Sequence, residues 1–113
     1  MNYETEAVND NAKDPTLLLV KGNIGEKRDT KDYIKKLASA MLVVVEKHGV
    51  AKLRCVGAAA INNAVKSQIV ANGEAKKKGL SLIMTASFQT VHFTADEDRT
   101  AIVIEVETIE NEA

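Results

Sequence analysis

The sequence predicts an α/β domain of the α+β type, ordered β-α-β-α-β-β: a four-stranded mixed sheet, two helices on one face and a long terminal hairpin. Three observations carry this. Two stretches place apolar side chains at helical spacing, and a short apolar run precedes each of them. Two longer segments of mostly alternating apolar and polar residues follow, joined by a polar turn. Right-handed crossovers then bring both helices to the same face of the sheet. At 113 residues and 45% hydrophobic composition, one domain with its own core is expected.

Residues 1–15 show no apolar periodicity and end at Pro15, which reads as a flexible acidic tail. The domain proper spans 16–108, with an acidic C-terminal tail over 109–113. Thr16-Leu17-Leu18-Leu19-Val20 is a continuous apolar run closed by Gly22 and Gly25. It suits a strand covered on both faces, although periodicity alone does not separate it from a short buried helix. Gly22 to Arg28 reads as a loop, after which Asp29 or Thr30 offers an N-cap oxygen. From about Tyr33 to His48 the apolar stripe is Ile34, Leu37, Ala38, Met41 and Val45, and Gly49 follows as a left-handed C-cap.

Lys52 to Val56 alternates, with Leu53 and Cys55 on one face and Lys52 and Arg54 on the other. Gly57 opens a second helix, Ala58 to Asn72, with Ile61, Ala64, Val65 and Ile69 as its expected buried side and Gly73 as its stop. Ala58-Ala59-Ala60 is small enough for another backbone to approach closely. Two strands follow, about Leu80–Phe93 and Thr100–Thr108, with the turn at Thr94–Arg99. Leu80, Leu82 and Met84 share one parity while Val91 and Phe93 take the other, which predicts a bulge or bend near Ala86–Gln89.

Composition narrows function. Aromatics are 4% with no Trp, which argues against a base-stacking platform for single strands. The single cysteine, Cys55, excludes a disulfide within the chain and fits a reducing compartment. The polar, acidic start is unlike a signal peptide, and no apolar run approaches the ~20 residues of a membrane span. A soluble, cytoplasmic protein is expected. Cys55, His48 and His92 do not fall at metal-ligand spacing, and no acidic pair or nucleophile elbow is visible. The chain therefore reads as a non-enzyme without metal or cofactor.

The net charge of -1 hides an asymmetry. Residues 1–15 carry -3, residues 16–93 carry +8 and residues 94–113 carry -6. A basic body between acidic ends attracts phosphates, while the ends compete for the same surface or keep the protein soluble.

The stretch from Gly49 to Lys66, Gly-Val-Ala-Lys-Leu-Arg-Cys-Val-Gly-Ala-Ala-Ala-Ile-Asn-Asn-Ala-Val-Lys, resembles the central motif of the stage V sporulation protein S family. Asp98-Arg99-Thr100-Ala101-Ile102 resembles that family's second motif, in the right order across the hairpin. The resemblance covers roughly residues 36–107. The family is similar in fold to the Alba chromatin proteins, so it implies an Alba-like fold, a homodimer and a DNA or RNA partner. Alba-type proteins use basic residues after the first strand, the region near the start of the second helix and the hairpin arms. Two departures stand out: a longer loop from Gly22 to Arg28, and an acidic hairpin tip, Asp96-Glu97-Asp98, where DNA-binding Alba arms are basic.

The candidate nucleic-acid contacts follow. Lys21, Lys27, Arg28 and Lys31 form a basic loop and helix start, with Lys35 and Lys36 beyond, and Lys21 matches the Alba position at the end of the first strand. Each cation would act through counterion release, or the group is simply a solvated helix face partly neutralised by Glu26, Asp29 and Asp32. Gly57, at a helix N-terminus, suits an anion with Arg54 and Lys66 near it, or serves close packing. Arg99 either contacts a nucleic-acid backbone or pairs with the acids beside it. A structural or protein-interaction module of the same fold is the alternative to a nucleic-acid-binding regulator.

Overall fold

A computed structural model describes residues 14–92 and 94–111. The elements are β1 (Leu17–Val20), α1 (Lys27–His48), β2 (Val50–Cys55), α2 (Ala58–Lys76), β3 (Leu80–His92) and β4 (Asp98–Glu110). The sheet order is β1-β2-β4-β3, with β1 parallel to β2 and the other pairings antiparallel. This is the expected β-α-β-α-β-β arrangement, an Alba-like fold. The expectations for residues 1–13, for Phe93 and for residues 112–113 lie outside the described residues.

β4 rather than β3 joins the body. Ile102, Ile104 and Val106 meet Cys55, Leu53 and Ala51 across the ladder, and all six point toward the helices. β3, rich in Ser, Thr and Gln, takes the edge. The core forms between that face of the sheet and the two helices: Leu37, Ala38, Met41 and Val45 from α1, and Ala60, Ala64, Ala71 and Ala75 from α2. The alanine face lets α2 lie close against strands whose side chains are larger.

α1 begins earlier than expected. Glu26 takes the N-cap position without a side-chain cap, and Thr30 sits in the first turn with its hydroxyl donating back to the Glu26 carbonyl at 3.2 Å. Neither Asp29 nor Thr30 caps the helix. The C-terminus is as expected: Gly49 adopts φ +82° and its N–H donates to the Val45 carbonyl at 2.8 Å.

Three expectations are corrected. Gly73 does not end α2; the helix continues to Lys76 because Ala71 and Ala75 still bury against the core, and the left-handed residue is Gly79 at φ +76°. The buried side of α2 is also rotated. Ile61 and Val65 are only half-buried and Ile69 is 62% exposed, whereas Asn63, Ser67 and Gln68 are buried. The Asn63 and Gln68 amides reach distant backbone that alkyl groups could not satisfy, while the Ser67 hydroxyl donates to the Asn63 carbonyl one turn back. Gln68 Nε2 donates to the Leu82 carbonyl and Asn72 Oδ1 accepts the Leu82 N–H, both at 2.9 Å, so α2 grips the open edge of β3. Lastly, no bulge interrupts the hairpin: its register runs unbroken from Leu80↔Glu110 to His92↔Asp98. The parity changes because the burying face changes. Leu82 packs under α2, while Val91 is buried on the helix-free face, where Ala101 and Val103 also lie.

β4 extends two residues past its expected end, and the Asn111 N–H donates to the Gly79 carbonyl at 2.8 Å. At the other end Asp14 turns back on Thr16, accepting its N–H at 2.9 Å and its hydroxyl, and stands 3.6 Å from Lys52. The Thr16 hydroxyl and N–H hold the Asp14 carboxyl below its ordinary value, with Lys52 adding to the effect. Among the described residues, no helix is long and apolar enough to cross a membrane.

Candidate functional site

Two parallel strands that end side by side leave a crevice beyond their carboxyl ends, where ligands of open α/β sheets bind. Here that crevice lies between Lys21-Gly22-Asn23, leaving β1, and Val56-Gly57-Ala58-Ala59, entering α2, with a volume of about 600 Å³. Gly57 holds φ +92°, outside the range comfortable for other residues, and supplies no side-chain cap. The first-turn N–H groups of α2 are thus left to an outside acceptor, with the positive end of the helix dipole behind them.

Lys21 is placed from both sides. Its N–H donates to the Tyr33 hydroxyl of α1 at 2.8 Å, and its carbonyl accepts from Asn63 Nδ2 at 2.9 Å. The same Asn63 nitrogen reaches the Gly22 carbonyl at 2.8 Å. Gly22 in turn lies against α2: a Cβ there would stand 3.2 Å from Ala59 Cβ and 3.3 Å from Ala60 N. The expected close approach of a backbone to the alanine triplet is therefore made by this loop. Sequence reasoning missed Tyr33 and Asn63, whose only signal is a polar residue on an otherwise apolar helix face.

A second basic group lies along the start of α1. Lys27, Arg28, Lys31 and Lys35 fall within two helical turns of each other, and Arg28 stands 3.8 Å from Asp29. Lys66 of α2 faces Lys27, Lys31 and Lys35 across a groove between the helices. The structure thus gathers Lys21 with Gly57, and Lys27 and Lys31 with Lys66.

It separates the other two candidates. Arg54 points to the helix-free face of the sheet, is 5% exposed and donates from Nε to Gln89 Oε1 at 3.0 Å. Arg99 stands at the hairpin tip 3.6 Å from Glu97, where His92 also pairs with Asp98. Cys55 is fully buried, and burial pushes its thiol up to about 11, far from a reactive thiolate. Among the described residues no group of three or more His, Cys, Asp or Glu is disposed to hold a metal ion.

The family model of stage V sporulation protein S matches residues 28–109, from the second residue of α1 to the penultimate residue of β4. The chain belongs to the stage V sporulation protein S family. Membership makes it a sporulation-related protein. In this stage V sporulation protein S relative, the matched span holds Gly57, the alanine triplet and Asn63, while Lys21 and Gly22 lie N-terminal to it.

Proposed function

We propose that this protein is a homodimeric regulator that binds DNA or RNA through phosphate contacts. The crevice beyond β1 and β2 is the observation that carries this reading. It sets a lysine beside an uncapped helix N-terminus, and a row of lysines continues along α1. These groups meet phosphates and no base edges, so binding should be largely indifferent to sequence. Dimerisation is supported by the hairpin arm. Met84 and Phe88 share the helix-side face of β3 beyond the reach of α2, and Phe88 is 80% exposed. Symmetric pairing is the common way to cover such a strip. The reaction machinery of an enzyme has no place in this reading, and the protein acts in the cytoplasm.

A protein-interaction module without nucleic acid is the second reading, favoured by the hairpin tip. There Arg99 stands beside Glu97, and the His92 ring pairs with the Asp98 carboxyl.

Gel shifts with duplex DNA, RNA and single strands at two salt concentrations separate the two readings. Replacing Lys21, Lys27 and Arg28 by Ala should weaken binding to all sequences. It should also flatten log affinity against log salt by about one unit per lost contact. Neutralising Asp96, Glu97 and Asp98 should tighten it. Unchanged binding by the triple variant would leave the lysines as a solvated surface and return the protein to the second reading. Sedimentation at micromolar concentration tests the dimer, and a monomer would remove it.

A further inference from the structure

The groove between α1 and α2, on the side away from the sheet, joins an apolar floor to a cationic rim. Its floor is aliphatic: Ile34, Ile69 and Val70, with Ile69 62% and Val70 42% exposed. Its rim is cationic: Lys27, Lys31 and Lys35, one turn apart along α1, with Lys66 opposite. Among the described residues none of these four lysine side chains has an ion-pair or hydrogen-bond partner. The hollow measures about 490 Å³ and spans roughly 12 Å along α1, the length of two helical turns.

We propose that this groove docks an acidic amphipathic helix of a partner protein. A phosphate backbone laid along the lysines would leave Ile69 and Val70 in water. A helix with leucines on one face and carboxylates beside them covers the floor and meets the rim at once. The lysine stems add apolar surface to the walls, and their ammonium groups, held at the lip, favour a partner of opposite sign and select against basic helices. Ile69 is where the sequence pattern places a core residue, yet the rotation of α2 leaves it outside. That rotation creates the floor. This inference stands apart from nucleic-acid binding, although Lys27, Lys31 and Lys66 belong to both surfaces.

The test uses the full chain and a fluorescent model peptide of three to four helical turns, with Leu on one face and Glu on both flanks. Three controls accompany it: the same residues in scrambled order, the pattern with Lys for Glu, and anionic phospholipid vesicles. Saturable binding of the Glu peptide alone is expected. Ile69→Ser with Val70→Ser, both at exposed positions, should weaken it about tenfold and leave duplex DNA binding unchanged. Lys31→Glu with Lys66→Glu should abolish it and admit the Lys peptide. Circular dichroism melting checks that these variants remain folded. Equal binding of the scrambled peptide would overturn the proposal, as would indifference to the Ile69 and Val70 changes, or binding to vesicles in place of the peptide. A gain in peptide affinity when Glu4, Glu6 and Asp10 are neutralised would assign the groove to this chain's own acidic segment and also overturn it. Loss of DNA binding by the lysine variants with peptide binding intact in the parent bears only on the function proposed above.

Discussion

Replacing Asn63 tests whether one buried amide organises the crevice. The side chain is 3% exposed and its Nδ2 donates to two carbonyls, those of Lys21 and Gly22, at 2.9 and 2.8 Å. Each such bond contributes about 1 kcal/mol net, so Asn63→Ala should cost about 2 kcal/mol. For a domain of this size that lowers Tm by roughly 10 °C. The cost is a fraction of a typical total stability of about 5–15 kcal/mol, so the variant should still fold. Asn63→Asp keeps the shape but turns an oxygen toward both carbonyls and buries a charge, so it should be worse than Ala. Urea denaturation gives both numbers, with an unchanged m-value expected for Ala because the unfolded surface is the same. If Asn63→Ala stays within about 0.5 kcal/mol of the parent and Asn63→Asp is no worse, the loop does not depend on this residue and the account of the crevice fails.

Two glycines should respond in opposite directions to the same change. Gly49→Ala meets φ +82° and should lose about 1 kcal/mol, whereas Gly73→Ala, in the last turn of α2 with open space around it, should gain up to about 1 kcal/mol. Thermal melts of the pair check both signs. Asp14 should give an acid-side dependence. Its folded-state carboxyl is held below 3.8, so its contribution is present above that value and disappears as pH falls through the lowered one. The stability gap between parent and Asp14→Ala should therefore be constant near neutrality and close only in acid, and a gap unchanged in acid would show that ionisation plays no part.

What could be read in advance divides along physical lines. The α1 stripe was legible to the residue, because Ile34, Leu37, Ala38, Met41 and Val45 bury by hydrophobicity, which is written in local spacing. The face of α2 was not, because Asn63, Gln68 and Asn72 face inward to serve backbone groups at Lys21, Gly22 and Leu82. Polar residues inside a helix face read as outward until their distant partners are known. The same lack of partners hid the strand order and made a parity change at Val91 look like a bulge. Of the site, Lys21 and Gly57 were visible as a basic residue after a strand and a glycine before a helix. Tyr33 and Asn63 were not, since a hydroxyl and an amide reaching across the fold leave no periodic trace.

The grip of Gln68 and Asn72 on Leu82 also limits how this sheet can grow. β3 is an edge strand, and because the Leu82 backbone groups point away from β4, those of Met84, Ala86, Phe88 and Thr90 do so as well. An unguarded edge of that length would template strand after strand from other chains. The two amides occupy the Leu82 rung next to the body, so an incoming strand is confined to the outer arm. There it must pair without a covering helix, on a ladder exposed on both faces through most of its length. The clamp thus shortens the free edge of β3 to its outer arm, from Met84 to Thr90.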